Sequence, residues 1–275
     1  MVEKLGNVGE EDIETMLSTE NIDNILRSRR SDDEPGKDIL HEITVGSYPV
    51  VIHEFLGSGT SKEVYDVEIE GQHYALGLSG IIDPTSHIIW KWRQVIKEPD
   101  NTRRLRDLGL IVNDICEIVP ATVNGYEFPL ILMKKYTDHP FTIYDSKNKH
   151  RNNNPLIGMD DKVTVETASQ LFSQIAKEIA LLVRNGVKLG TDNFNLCMIH
   201  GTPHLYFYDL GSASFEGIPQ KDVSTYVRYY AKYAMDAFLN SFSFDVYHGN
   251  PHLRRLDKLN GPLERSIRSQ TRALL

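Results

Sequence analysis

Three short stretches of this 275-residue chain carry residue types suited to phosphate or metal chemistry. The first is Gly57-Ser58-Gly59, followed by Lys62, inside the run LGSGTSKEVYDVEIEGQHYALGL from Leu56 to Leu78. A Gly-x-Gly turn lets backbone N–H groups approach phosphate oxygens, because no Cβ stands in the way. Lys62 adds a mobile point charge on a long stem. The second stretch is Asp209-Leu210-Gly211. The apolar run LYFY before it buries the approach strand and leaves a carboxylate at its end, a suitable place to hold a hard cation. The third is the cluster Arg254, Arg255, Lys258, Arg265, Arg268 and Arg272, set against Asp257 and Glu264. Clustered arginines can hold phosphate groups with bidentate bonds, which points to an inositol phosphate, a phosphoinositide or an acidic partner. The alternative is a solvated helical face.

Each of these stretches is also compatible with an ordinary turn or surface, so the elements that position them decide the reading. Residues 1–38 are polar and acidic. Glu10 to Leu26 reads as a short helix with Ile13, Met16, Leu17, Ile22 and Ile25 roughly on one side, either docked or left as a tail. Ser28 to Asp38 reads as a linker. From Ile39 the pattern alternates like strands, with a hairpin turn at Glu70-Gly71. A helical insert covers Ser86 to Leu108 and is expected to be interrupted at Pro99. Strand-like runs return at ICEIVPATV and FPLILMKKY. The polar stretch from Asp138 to Asp161 reads as a surface loop. A long helix is expected from Val163 to Asn185, with Ala168, Leu171, Phe172, Ile175, Ile179, Leu182 and Val183 at helical spacing. Two strands, FNLCMI and LYFYDLG, flank a turn at Gly201-Thr202-Pro203. A tyrosine-rich helix follows from Val223 to Phe242. The expected divisions are an N-terminal extension (1–38), a β-rich part (39–136), a helical part (137–252) and a basic tail (253–275).

This order resembles that of the protein-kinase superfamily over about residues 45–240, which implies an α+β, two-lobed fold with a β-rich N-lobe and a truncated helical C-lobe. The resemblance implies roles for particular residues. ATP phosphates would lie under Gly57, Ser58 and Gly59, and adenine would lie beside Met133 in the segment from Leu132 to Tyr136. Glu98 stands about where kinases place the glutamate that pairs with the phosphate-binding lysine. Asn195 and Asp209 stand where kinases bind Mg²⁺. The chain also departs from the pattern. Gly77 occupies the place of the phosphate-binding lysine in the third strand. Lys62 takes the third-glycine position of the loop, an arrangement similar to that of the With-No-Lysine kinases. Counting back from Asn195, the catalytic base falls on Gly190; aligning on Asn193 instead brings Lys188 there. Asp192 could orient an acceptor hydroxyl or serve as a second metal ligand, or belong to a plain Asp-Asn turn. Only 66 residues follow Asp209, with no Ala-Pro-Glu motif. A short C-lobe of this kind resembles the small kinases that bacterial pathogens inject into host cells, some of which depend on a host factor.

The bulk properties bound the rest. A net charge of −8 argues against a general nucleic-acid binder. Cys116 and Cys197 lie far apart in apolar runs, as buried thiols in a reducing compartment would. No segment approaches the roughly 18 apolar residues that a membrane helix needs. The acidic N-terminus lacks a secretory signal pattern, so a cytoplasmic protein is expected, and delivery into a host cell as an effector would leave no readable mark. Three functions are open at this point: an atypical ATP- and Mg²⁺-dependent transferase acting on a protein substrate, a pseudokinase scaffold that binds nucleotide or a protein partner without catalysis, and an interaction module built on the first helix and the tyrosine-rich helix.

Overall fold

The computed structural model describes residues 10–16, 43–58, 62–78, 94–113, 116–135, 142–144, 172–190, 193–200, 202–240 and 251–275, together with residues 18, 20, 21 and 24. The chain divides into two compact units. Unit 1 comprises Met1–Thr102, Asn113–Asp138 and Leu210–Ser212; unit 2 comprises Arg103–Val112, His139–Asp209 and Ala213–Leu275.

Unit 1 is built on a curled seven-stranded sheet. Its strands are β1 (Ile43–Val45), β2 (Tyr48–Pro49), β3 (Val51–Ser58), β4 (Glu63–Ile69), β5 (Gln72–Leu78), β7 (Cys116–Val123) and β8 (Tyr126–Met133). Their order is β2-β1-β7-β8-β5-β4-β3, and every pairing is antiparallel. Two hairpin turns fix the register. At Glu70-Gly71 both central residues have positive φ (50° and 75°), and Asn124-Gly125 repeats the arrangement (51° and 86°). Such turns match the right-handed twist of the strands they join. The register then follows: Ile69 faces Gln72 and Val123 faces Tyr126. Alternation buries Tyr65, Val67 and Ile69 on β4 and Tyr74, Leu76 and Leu78 on β5. In β8, Phe128, Leu130, Ile131 and Leu132 are all buried, as expected of a strand covered on both faces. Helix α1 (Glu10–Met16) sends Ile13 into this core, and the Asn21 amide donates to the carbonyls of Met16 and Glu127 at 2.7 and 2.6 Å. Within the expected Glu10–Leu26 helix, this described part is docked.

Helix α2 spans Glu98–Asp107. Pro99 was expected to interrupt the helical insert: residues 94–95 are helical, 96–97 form a turn, and α2 begins at Glu98 with Pro99 in its first turn. Its missing N–H costs nothing there, because first-turn N–H groups have no intrahelical partner. The ladder begins just behind it, with the Asn101 N–H donating to Lys97 O at 2.9 Å.

Unit 2 combines helices with a four-stranded sheet, β6 (Ile111–Val112), β11 (Thr202–Phe207), β10 (Phe194–Ile199) and β9 (Thr142–Tyr144), in that order. Helix α3 (Ser173–Arg184) buries Ile175, Ala176, Ile179, Ala180, Leu182 and Val183. The earlier part of the helix expected from Val163 lies outside the described residues, as do the loop from Asp138 to Asp161, except for the β9 strand, and the linker from Ser28 to Asp38. Helix α4 (Val223–Asn240) buries Val227, Tyr230, Ala231, Ala234 and Met235. The stretch expected as a basic tail is a 24-residue helix, α5 (Pro251–Leu274). Leu263, Ile267 and Thr271 recur every fourth residue and are buried, which gives α5 an inward stripe. The Thr271 hydroxyl donates to Ala176 O at 3.3 Å, Arg272 reaches Ser224 Oγ at 3.1 Å, and Arg184 caps Leu274 O. Arg268 pairs with Glu264 at 3.3 Å, so two of the six tail cations are used within unit 2. The side chains of Arg254, Arg255 and Lys258 lie outside the described residues.

Candidate functional site

Unit 1 brings together the lysine and the glutamate singled out in the sequence. Lys62 lies one residue before β4, and Glu98 is the first residue of α2. Their side chains form an ion pair, with Lys62 7% and Glu98 2% exposed. A buried carboxylate or ammonium is costly unless paired, so the two charges depend on each other here.

The register explains how Lys62 reaches this place. Val64 on β4 faces Gly77 on β5, so Lys62 lies diagonal to Gly77 across the strand pair. Diagonal neighbours on one sheet face lie within reach of long side chains. A Cβ built on Gly77 would stand 3.3 Å from Lys62 Cδ, 3.5 Å from Met133 Cε and only 2.4 Å from Ile131 Cγ2. The space that a side chain at 77 would need is therefore filled by Ile131 and by the stem of Lys62. A larger residue at 77 would first displace Ile131 and would press on the Lys62 stem.

Other expected residues are placed as follows. Gly57 and Ser58 close β3, facing Val64 and Glu63 on β4, at the end of the strand pair where the glycine turn begins. Gly59 lies outside the described residues. Met133 ends β8, opposite Ala75 and Cys116.

In unit 2, Asn195 lies near the start of β10 and faces Tyr206 on β11. Asp209 follows β11 and has φ 52°, a left-handed conformation that aspartate tolerates better than most residues. Asn193, rather than Asn195, tethers Asp209: its Nδ2 donates to Asp209 O at 2.5 Å. The same side chain accepts from Gly190 N at 2.6 Å, and the Tyr208 N–H donates to Asn193 O at 3.0 Å. Asn193 is 4% exposed, and it locks the turn before β10 to the turn after β11. The sequence offers Asn193 only as a second alignment of the asparagine. The signal for this positioning role is a short polar residue three after a glycine at the start of a strand, a spacing common to many turns. Gly190, where a base would be expected, has no side chain, and a Cβ there would stand 3.0 Å from Asn193 Oδ1. Lys188 forms a backbone bridge to Ser214. The segment between Val187 and Leu189 is further held by Tyr230, whose hydroxyl donates to Val187 O at 2.8 Å and accepts from Leu189 N at 3.0 Å. Asp192 lies outside the described residues.

Gly211 has a packing reason of its own within unit 1. A Cβ there would stand 2.5 Å from Gln94 O. Beside it the Asn101 side-chain amide donates to Leu210 O at 2.8 Å, and Leu210 is fully buried. The glycine of Asp-Leu-Gly thus lets the chain approach the segment leading into α2.

A curled antiparallel sheet with an acid-bearing helix, followed in sequence by a helical unit with the β10–β11 pair and Asp-Leu-Gly, is a kinase-like α+β fold. Among solved structures, the chain is similar to the PknI kinase domain of Mycobacterium tuberculosis. That match has 16% identity and a TM-score of 0.33, covering 84% of this chain and 97% of that one. A double mutant of the same domain matches with 17% identity, a TM-score of 0.39 and coverage of 84% and 97%. No family model matches the chain, and no curated protein matches it in sequence. No helix among the described residues is long and apolar enough to cross a membrane.

Proposed function

We propose that this chain is an atypical nucleotide-dependent phosphotransferase of the protein-kinase type, acting on a protein hydroxyl, in which Lys62 supplies the charge that a third-strand lysine usually supplies. The observation that carries this reading is the Lys62–Glu98 pair running over Gly77. An acid-oriented, buried lysine beside a glycine turn is what phosphate neutralisation needs, and its origin one strand away resembles the With-No-Lysine arrangement. In this reading the backbone from Gly57 to Gly59 holds phosphates, Met133 borders the base, and Asn195 and Asp209 are the side chains that fit Mg²⁺, an oxygen-seeking ion. When bound, the ion would neutralise charge on the transferring phosphoryl group. Asn193 would be a positioning residue, setting the backbone of Asp209. Phosphoryl transfer depends chiefly on positioning and electrostatics, so a missing base does not by itself abolish it.

A second reading, a pseudokinase that binds nucleotide or a partner without transfer, is favoured by one observation: Gly190 offers no side chain, and its N–H is committed to Asn193. Delivery into a host cell as an effector is compatible with either reading.

The test is thermal shift with ATP, with and without Mg²⁺, followed by label transfer from γ-labelled and α-labelled ATP in the presence of host-cell extract. The transferase reading expects a Mg²⁺-dependent shift and γ-label transfer, both lost in Lys62→Met and Asp209→Asn. A shift without transfer selects the pseudokinase; the absence of any shift refutes the transferase and, for the pseudokinase, leaves only its partner-binding form.

A further inference from the structure

Away from these residues, the outer strands of the unit 1 sheet carry a cluster that the proposed function does not use. His53 on β3, Glu68 on β4 and His73 on β5 lie side by side across three neighbouring strands. Glu68 and His73 face each other in register. His53 falls in the register shift between Ile52 and Glu54, a bulge of the kind that re-aims a side chain. The His53 Nε2 to Glu68 Oε2 distance is 3.1 Å and the His73 Nε2 to Glu68 Oε2 distance is 4.0 Å. The imidazole rings are 4.9 Å apart, and one ligand atom from each of the three residues falls within 4.8 Å of the others.

The fourth partner is Asp66. Its carboxylate lies 3.2 Å from His73 Nδ1 and accepts from Lys135 Nζ at 2.5 Å. Asp66 is 5% exposed. An ionised carboxylate can only accept, so Nδ1 of His73 carries the hydrogen. In the neutral imidazole this leaves the lone pair on Nε2, directed at the Glu68 side. A nitrogen lone pair facing a carboxylate repels it unless a cation lies between them, and that cation is either a proton taken up by the ring or a metal ion. A carboxylate that fixes the far nitrogen of a histidine is also the usual support behind a metal-bound imidazole.

We propose that His53, Glu68 and His73 form a binding site for one divalent transition-metal ion of the zinc class, with Asp66 orienting His73 and water completing the coordination. Two imidazoles and one carboxylate suit Zn²⁺, Ni²⁺ or Cu²⁺ and not Mg²⁺ or Ca²⁺, which prefer oxygen. Tetrahedral zinc sets its ligand atoms about 3.3 Å apart, so closure needs movement of under about 2 Å at His73 and His53. Both side chains are exposed enough (45% and 38%) to make it. The ion would tie the edge strand β3 to β4 and β5, and β3 and β4 carry the glycine turn at their other end.

The experiment titrates zinc chloride alone into protein stripped with a chelator, in a buffer that does not bind metal, and reads heat and melting temperature. The expected result is one zinc per chain, a raised melting temperature, and a cobalt(II) complex with a tetrahedral visible spectrum. His53→Gln/His73→Gln should lose the site, and Asp66→Asn should weaken it about tenfold. Glu68→Gln serves as a second variant should the double one melt early. The proposal is overturned if zinc gives neither heat nor a melting shift, or if the double variant or Glu68→Gln binds zinc as the wild type does.

Discussion

The Lys62–Glu98 pair can be tested by a double-mutant cycle of Lys62→Met and Glu98→Gln. Lys62→Met keeps most of the stem that passes Gly77 and removes the ammonium, so packing changes little while Glu98 loses its cation at 2% exposure. Breaking a buried pair from one side costs about 3–5 kcal/mol, because one charge stays behind without compensation. Glu98→Gln leaves the ammonium in the same position, and a similar cost is expected. The double variant leaves neither charge and should be less damaged than the sum of the two, giving a coupling of at least about 2 kcal/mol. The readout is hydrogen exchange of the β4 and β5 amides, which reports opening of unit 1 and does not require the whole chain to unfold in one step. Additivity within about 0.5 kcal/mol would show that the two side chains do not depend on each other, and that Lys62 and Glu98 are not one coupled buried pair.

Other outcomes follow from the same packing. Gly77→Ala should destabilise unit 1 by about 1–3 kcal/mol, because its Cβ would lie 2.4 Å from Ile131 Cγ2; a much smaller cost in an Ile131→Ala background would confirm that contact in denaturant titrations, and an equal cost would refute it. Burial pushes the Asp66 carboxyl upward, but hydrogen bonds from Lys135 and His73 outweigh it and hold the group below the usual carboxylate range. A depressed acid stabilises the fold above its unfolded pKa, about 3.9, and that contribution fades as pH falls through the lower folded value. The stability gap between wild type and Asp66→Asn, measured with chelator present, should therefore narrow below pH about 4, and a constant gap would count against the pairing. Burial is the main cause raising both thiols, joined by Glu98 for Cys116 and by Glu178 for Cys197, so iodoacetamide should label neither at neutral pH until denaturant is added; rapid labelling of native protein would contradict the buried placement.

How much of this was legible in the sequence depends on the range over which each signal acts. The hairpin at Glu70-Gly71 is local chemistry and could be read directly, and Asn124-Gly125 offers the same signal. The stripe of α3 follows from 3.6-residue spacing. Pro99 marks where the insert breaks, because proline is tolerated in the first turn of a helix and not in its middle, and the helix restarts at Glu98 after a turn at 96–97. The last helix was legible only as an alternative, a solvated helical face: six cations draw attention to phosphate, whereas Leu263, Ile267 and Thr271 form a buried stripe. The tether from Asn193 to Gly190 and Asp209 joins residues 3 and 16 positions away, and no spacing rule singles out an asparagine that bonds in both directions.

The glycine at 77 changes meaning once its neighbours are known. Taken alone it is a lost lysine, and a chain that had simply lost a side chain would leave a gap. No gap is present: Ile131 and the Lys62 stem occupy the space, and the acid a third-strand lysine would meet is met by Lys62. Restoring a lysine at 77 therefore adds a clash with Ile131 before it adds a charge. The small residue on β5 leaves the space that Ile131 and the Lys62 stem share, so the packing at 77 and the course of Lys62 are linked through Ile131.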